Sequence, residues 1–329
     1  MRESWERDSA EIVLDRAAVA TLLGPVFPRA AIAGVERVPG GLVNTNLKIV
    51  LRDRPDPVLL RIYQRDADQG LKEAALIRRL ATCVPVPPLF YAAESNPVTG
   101  HAYSILGWVE GRGLDALALA GEDLRAAGQA LGTALAHVHA VKFDRFGFLG
   151  ANLKIAKPID LDRDGLLAYL DHAFAAGPGP ARLGAELTPA LRKFVEREGH
   201  RIAPWPGAPC LAHGDCNGSN LLFRRGASGG WELVAMLDWE FACSGTPGID
   251  FAQLLRPPLA RHLPLADAVV AGYREAGGAL PPDWQRIARI TDLFAWTDIA
   301  SRPAAGANVI EDARTFIRAI VAGRTTDDS

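Results

Sequence analysis

The stretch Leu211-Ala212-His213-Gly214-Asp215-Cys216-Asn217-Gly218-Ser219-Asn220-Leu221-Leu222-Phe223 is where the sequence is most informative. Asp215 and Asn220 stand five residues apart in a glycine-containing loop that runs into an apolar, strand-like segment. Eighteen residues after Asn220, Asp238 ends a second apolar run, Trp231 to Leu237, and is followed by Trp239-Glu240. The residues between, Arg224 to Gly230, read as the tip of a hairpin. A carboxylate in a loop, an amide oxygen, and a second carboxylate at a strand end form a set that phosphoryl transfer uses. One carboxylate accepts the hydroxyl proton of the acceptor, and the other two groups hold magnesium on the phosphates of ATP. The protein then contributes mainly positioning and charge neutralisation. A turn-rich hairpin whose Asp and Asn merely satisfy backbone groups explains each residue singly but not the set.

Upstream, the pattern changes to short strands. Residues 10–25 carry a weak helical pattern that stops at Gly24-Pro25. Val35 to Val38, Asn46 to Leu51 and Pro57 to Tyr63 then read as an antiparallel meander, with the glycine loop Pro39 to Asn44 between the first two. A helix is expected over about Gln69 to Leu80, where Leu71, Leu76, Ile77 and Leu80 recur near the helical period. Val84-Pro85-Val86-Pro87-Pro88 must be extended, and Ala102 to Leu106 reads as a further strand. Beyond Gly107-Trp108-Val109-Glu110-Gly111 the pattern is helical, over 114–141, 164–176, 186–203, 264–277, 283–300 and 305–322. The one clear β interruption there is Leu211 to Asp238. This gives an α+β chain: a nucleotide-binding lobe over 1–106, a hinge over 107–111, and a mostly helical catalytic and substrate-binding lobe over 112–329.

The motif set His213-Gly214-Asp215, Asn220 and Asp238-Trp239-Glu240 resembles that of the aminoglycoside phosphotransferase and choline-kinase group, which shares its fold with protein kinases. The resemblance implies a two-lobed kinase-like fold, ATP and Mg2+ as cofactors, and a small-molecule hydroxyl acceptor. Asp215 would be the catalytic base, and Asn220 and Asp238 the metal ligands. His213 would be scaffold for the loop. Arg61, on the third strand, stands where kinases place a phosphate-contacting cation, and Glu73 on the next helix stands where its carboxylate partner belongs. Lys48 and Arg52 are fallback cations; an exposed helix position is the alternative reading of Glu73, and the resemblance tips it toward the carboxylate partner. Gly40, Gly41, Asn44 and Thr45 resemble the phosphate-covering loop, although a glycine pair by itself usually marks only a turn. Gly107 and Val109 would offer backbone groups to adenine. Asp250 reads as the N-cap of the next helix, and the resemblance adds a brace on the catalytic loop. His137 and His139 read as packed structural residues of the long helix, since no ligand-spaced partner accompanies them.

Composition narrows the partners. The 329 residues carry a net charge of -2 and a pI near 6.4, so neither a nucleic-acid nor an anionic-membrane partner is expected. A charged start, Met1 to Asp8, has no apolar stretch behind it. With no run long enough to span a bilayer, a cytoplasmic protein is expected, as monomer or homodimer. Four cysteines without a Cys-x-x-Cys pair suggest neither a disulfide framework nor a zinc cluster. A cationic acceptor such as an aminoglycoside needs acids near Asp215. Glu240 and Asp298 are the candidates, while Glu311 and Asp312 read as a solvated face. Arginines between Arg256 and Arg318 offset those acids, so an antibiotic, an amino alcohol and a sugar all stay open, and with them a role in resistance or in metabolism. Two readings from other classes remain beside the kinase: a nucleotide-binding pseudokinase, and a metal-dependent hydrolase using His213, Asp215 and Asp238.

Overall fold

The structure, a computed structural model, describes residues 12–38, 43–202, 205, 207, 209–227, 229–256 and 263–323. Helix α1 (Arg16–Leu23) opens the described chain, with the Asp15 side chain accepting from the Ala18 N–H at its start. Strands β1 (Ile32–Arg37), β2 (Thr45–Leu51) and β3 (Val58–Ile62) form the expected meander. Helix α2 (Ala67–Leu80) follows, then β4 (Leu89–Ala93) and β5 (Tyr103–Gly107). All five strands lie in one antiparallel sheet in the order β1-β2-β3-β5-β4.

That sheet is amphipathic in a way that places the site. Along β2, Thr45, Leu47, Ile49 and Leu51 are buried while Asn46, Lys48 and Val50 are half-buried, the period-2 pattern of a strand. Leu47, Ile49 and Leu60 join Val19, Leu22 and Leu23 of α1 in one apolar cluster. Register pairs Asn46 with Arg61 and Lys48 with Leu59, so these side chains occupy the opposite face. Arg61 therefore looks away from the α1 core, while Leu76, Ile77 and Leu80 of α2 join the central core instead.

The second half is larger and mostly helical. It comprises β6 (Arg112–Gly113), α3 (Gly121–His139), β7 (Gly147–Leu149), β8 (Ile155–Pro158), α4 (Arg163–Ala176) and α5 (Gly179–Glu198). These are followed by β9 (Cys210–Ala212), β10 (Leu221–Arg225), β11 (Trp231–Met236), β12 (Cys243–Gly245) and α6 (Pro247–Leu254). Helices α7 (Leu263–Glu275), α8 (Trp284–Thr291), α9 (Leu293–Ser301) and α10 (Ala307–Val321) complete it. The expected hairpin is β10–β11, extended by β6 into a small sheet, and a further sheet runs β8-β7-β12-β9. Helices α4, α5, α9 and α10 bury a separate apolar cluster around Trp296, Leu191 and Ile317.

Several boundaries differ from those expected. The helix predicted over 114–141 is a 3-10 turn at Leu114–Ala116 followed by α3, which opens on Gly121 at φ +54°. Helix α5 starts earlier than predicted and is kinked at Gly184, whose φ of 89° no ordinary helical residue adopts. The single helix predicted over 283–300 is two, meeting at Asp292. Strands β4, β6, β7, β8 and β12 were not predicted. The last four have four residues or fewer, and their partners in the sheets rather than any alternation define them. No helix among the described residues is long and apolar enough to cross a membrane.

Helices α3 and α7 approach closely because both present glycine at the contact. A Cβ on Gly132 would lie 2.1 Å from the Val269 carbonyl oxygen and 2.6 Å from the Tyr273 nitrogen. Since both obstacles are backbone, the helices must separate to admit a methyl group. Gly132→Ala is expected to destabilise the protein by about 1–3 kcal/mol, an overpacking cost, read as a lower urea midpoint. An unchanged midpoint would contradict this account of the contact.

Candidate active site

The site forms where the cleft face of the first sheet meets the β10–β11 hairpin. Arg61 of β3 is 7% exposed and lies in a ring of acids. Its Nη2 donates to Asp238 Oδ1 at 2.6 Å, its Nε is 3.3 Å from Glu73 Oε2, and Glu240 Oε2 is 3.9 Å from Nη2. Burial lowers the pKa of Arg61, but the charges of Asp238, Glu73 and Glu240 outweigh it and hold the group well above its ordinary value. Lys48, the fallback cation, is engaged at the hinge: its Nζ is 3.1 Å from Glu110 Oε1 and 4.4 Å from the Trp108 ring centroid.

Glu73 is not the exposed helix residue that sequence left open. It is 2% exposed, on the same stripe of α2 as Leu76, Ile77 and Leu80. Its Oε2 accepts from the Tyr63 hydroxyl at 2.6 Å, and its Oε1 accepts from the Trp239 N–H at 3.4 Å. The Tyr63 hydroxyl is also 3.0 Å from Ser104 Oγ. Burial and the Glu73 charge push the Tyr63 pKa well up, keeping it a donor. Tyr63 and the neighbouring Lys72 were missed from sequence. The available signal was Glu73 itself, a carboxylate on an apolar helical stripe that therefore needs buried partners.

The loop that carries Asp215 is held from three sides. Asp215 is 4% exposed, with Oδ1 accepting from Asn217 Nδ2 at 3.0 Å and Oδ2 from Asn220 Nδ2 at 2.9 Å. Asn220 Nδ2 also donates to the Asp215 carbonyl oxygen at 2.9 Å. The Asn220 amide thus turns its nitrogen to Asp215. His213 Nε2 donates to the Leu237 carbonyl oxygen at 2.9 Å, while Nδ1 accepts from the Asp215 N–H at 3.2 Å. With both nitrogens used inside the fold, and the ring 4.3 Å from that of Trp239, His213 is built in as scaffold. Cys216 is fully buried, and burial raises its thiol pKa well above the ordinary value.

Asp250 corrects the sequence reading. The N-cap of α6 is Thr246, and Asp250 lies within the helix. Its Oδ2 accepts from the His213 N–H at 2.8 Å and its Oδ1 from the Gly214 N–H at 2.9 Å, while His139 Nε2 lies 3.0 Å from Oδ2. Burial, the largest effect, pushes the Asp250 pKa up, but His139 and the His213 contacts bring it below the usual carboxylate value. His139 is buried, as expected, whereas His137 is exposed, with Nδ1 2.9 Å from the Cys83 carbonyl oxygen. Gly214 has φ +75°, and a Cβ there would meet the Phe241 carbonyl oxygen at 2.3 Å, so only glycine fits the turn.

Asp238 itself stands at φ 65°, ψ 68°, a left-handed conformation costing about 1–3 kcal/mol for a non-glycine residue. The Leu237 N–H donates to the Asn220 carbonyl oxygen at 2.8 Å, which keeps Asn220 and Asp238 side by side. One carboxylate and one amide oxygen suit magnesium, which takes one or two protein oxygens and completes its shell with water and phosphate. The Arg61 guanidinium stands beside them, its Nη2 on Asp238 Oδ1 at 2.6 Å and its Nε turned to Glu73.

The other sequence candidates are distributed unevenly. Glu240 is 7% exposed, and its carboxylate accepts from Asn44 Nδ2 at 2.9 Å rather than lining an acceptor face. Burial and the Asp238 charge push its pKa up to about 7. Thr45 is fully buried and bonds Gln64 Oε1 at 2.8 Å. The Gly107 N–H is taken by the Pro88 carbonyl oxygen at 2.7 Å, and Val109 is half-buried beside it. Asp298 joins a different network, with Tyr169 at 3.1 Å and Arg302 at 2.6 Å. Gly40 and Gly41 lie outside the described residues.

A family model described as the phosphotransferase enzyme family matches residues 34–290. The chain belongs to that family. This phosphotransferase also matches solved structures along nearly its whole length. A thermostable mutant of aminoglycoside phosphotransferase APH(4)-Ia, in ternary complex with AMP-PNP and hygromycin B, aligns with TM-score 0.67 at 19% identity, covering 93% of this chain and 98% of that one. A mutant of aminoglycoside 2'-phosphotransferase IIIa in complex with GDP gives TM-score 0.69 at 19% identity, over 96% and 100%. Macrolide 2'-phosphotransferase MphH from Brachybacterium faecium, as apoenzyme, gives 0.63 at 19% identity, over 91% and 97%. At these identities the likeness is one of fold, the two-lobed kinase-like fold expected from the sequence. No curated protein matches the sequence.

The Asp250 brace has a measurable consequence. Asp250→Ala strands two buried N–H groups and His139, an uncompensated loss worth about 3–5 kcal/mol. Chemical unfolding is expected to show that loss. A variant as stable as the parent would mean that Asp250 does not carry the loop.

Proposed function

We propose that this phosphotransferase is an ATP-dependent kinase that moves the γ-phosphoryl group to a hydroxyl of a small molecule. The observation that carries this reading is the meeting of Arg61, Glu73 and Asp238 beside the Asp215–Asn220 pair, contributed by four separate segments. In this reading residues 1–106 hold the nucleotide, 107–111 form the hinge that receives adenine, and 112–329 supply the catalytic loop and the acceptor site. The backbone at Asn44 and Thr45 belongs, in this reading, to the loop that covers the phosphates. ATP as donor implies a cytoplasmic site of action.

Each group has one task. Asp238 and the Asn220 amide oxygen hold magnesium, which when bound neutralises charge on the phosphates. Arg61 takes a phosphate oxygen, with Glu73 fixing its guanidinium. Asp215, oriented by the amides of Asn217 and Asn220, accepts the acceptor's hydroxyl proton. Glu240 fits better as a tie to Asn44 of the covering loop than as the acceptor-binding acid first considered. Hygromycin B and kanamycin accompany the fold's solved relatives, which supports a polyhydroxylated acceptor class.

The metal-dependent hydrolase reading fits less well. Both His213 nitrogens are engaged within the fold. Among the described residues no group of three or more His, Cys, Asp or Glu side chains is placed to hold a metal ion. The pseudokinase reading leaves the complete set Asp215, Asn220 and Asp238 without a use.

The test is an acceptor screen over hydroxylated antibiotics, amino alcohols and sugars, reading ADP release at fixed magnesium and ATP. With the acceptor found, Asp215→Asn is expected to lower kcat by about 10²–10⁴-fold while ATP affinity stays within about twofold, since positions that act only on the reacting hydroxyl leave binding intact. Near-parental turnover in that variant would remove Asp215 from the role of base.

A further inference from the structure

Helix α2 reaches the turn after Asp238 with a second side chain that the proposed chemistry leaves unused. Lys72 is 7% exposed, and its Nζ donates to the carbonyl oxygens of Glu240 at 2.6 Å and Ala242 at 3.3 Å. A lysine is almost never buried to this degree unless it is paired. Taking an ammonium out of water is unfavourable, and an apolar residue would fill the same space without that penalty. The charge is therefore doing something that packing alone does not require. Burial lowers the Lys72 pKa, and Cys243, Glu240, Glu73 and Asp66 oppose that shift.

What needs holding is the backbone around Asp238. Its left-handed conformation is shared by only one other non-glycine residue among those described, Leu153, and such conformations persist only where the surroundings over-determine them. Before Asp238, the Leu237 N–H is fixed on the Asn220 carbonyl at 2.8 Å. After it, the Trp239 N–H reaches Glu73 only at 3.4 Å. The Ala242 N–H closes onto the Trp239 carbonyl oxygen at 3.1 Å and Asn44 ties the Glu240 side chain at 2.9 Å, but the shortest contact to the backbone there among the described residues is the one from Lys72 to Glu240. Adjacent residues of one helix thus hold the turn in different ways: Glu73 takes a backbone donor and the Arg61 cation, and Lys72 takes two backbone acceptors.

We propose that Lys72 is a positioning residue for the magnesium site, holding the 240–242 backbone so that the Asp238 carboxylate stays where a metal ion requires it. The inference rests on Asp238 being a metal ligand, as in the proposed function. Loss of the ammonium lets the turn relax and moves the carboxylate. Nucleotide contacts that do not pass through the metal are left in place.

The test compares Lys72→Met, Lys72→Arg and Asp238→Ala by ATP-induced thermal stabilisation, with magnesium titrated from an EDTA baseline. Lys72→Met is expected to raise the magnesium concentration at half-effect about tenfold, the scale seen when a group supporting a metal ligand is removed. ATP binding in EDTA should stay within about twofold, and Lys72→Arg should recover part of the magnesium response, because a guanidinium also donates to two carbonyls. A folded Lys72→Met with unaltered magnesium dependence overturns the proposal. So does equal weakening with and without magnesium, which would mark a structural role only. If Lys72→Met does not fold, Lys72→Gln is read by the same criteria. If Asp238→Ala itself leaves the magnesium response unchanged, the site reading fails. If Asp238→Ala changes it and the Lys72 variants do not, only the inference about Lys72 fails.

Discussion

A guanidinium taken out of water must be surrounded by anions, and Arg61 collects Glu73 from α2 and Asp238 from the turn after β11. Those three groups come from different parts of the chain, and their meeting brings the Arg61 face of the first sheet to the β10–β11 hairpin. Removing one partner of such a buried arrangement costs about 3–5 kcal/mol, because the remaining charges are left uncompensated. The same arrangement places a fixed cation beside a carboxylate, which is what a polyphosphate with its metal needs to meet. In the proposed function, structural order and nucleotide chemistry thus draw on the same charges.

Around that centre the protein spends buried polar groups with few left idle. His213, Asp250, His139 and Tyr273 form a connected series in which each group meets the next within 3.0 Å. The series runs from the catalytic loop through α6 and α3 to α7. The glycine-mediated contact of α3 with α7 therefore supports the loop through Tyr273 and His139. Rigid elements carry the reacting groups, and a fully paired polar network fixes their angles.

The hairpin and its loop were legible because their residues are local: Asp215, Asn220 and Asp238 lie on one loop and one strand end, at fixed spacing. Arg61 and Glu73 were singled out by the resemblance once a strand and a helix had been read in order, while the sequence alone left Glu73 open to an exposed reading despite the stripe it shares with Leu76 and Leu80. Contacts across the chain were not legible. Asn44 meets Glu240 across 196 residues, and Lys72 meets Glu240 across 168, and no local periodicity records such pairings. Asp250 misled because an aspartate ahead of an apolar run looks like a cap, although Thr246 takes that place and the buried carboxylate serves the loop instead. Strands as short as Cys243–Gly245 exist only through their neighbours, so alternation had nothing to report.

In the proposed site Arg61 acts together with Glu73 rather than beside it. A double-mutant cycle of Arg61→Met and Glu73→Gln, read as the affinity for magnesium-ATP, tests it most directly. Coupled residues in one charged network show interaction energies of about 0.5–3 kcal/mol, and the account predicts a value of about 1.5 kcal/mol or more, with the second substitution adding little to the first. Additive losses, agreeing within about 0.3–0.5 kcal/mol as for independent sites, would contradict it.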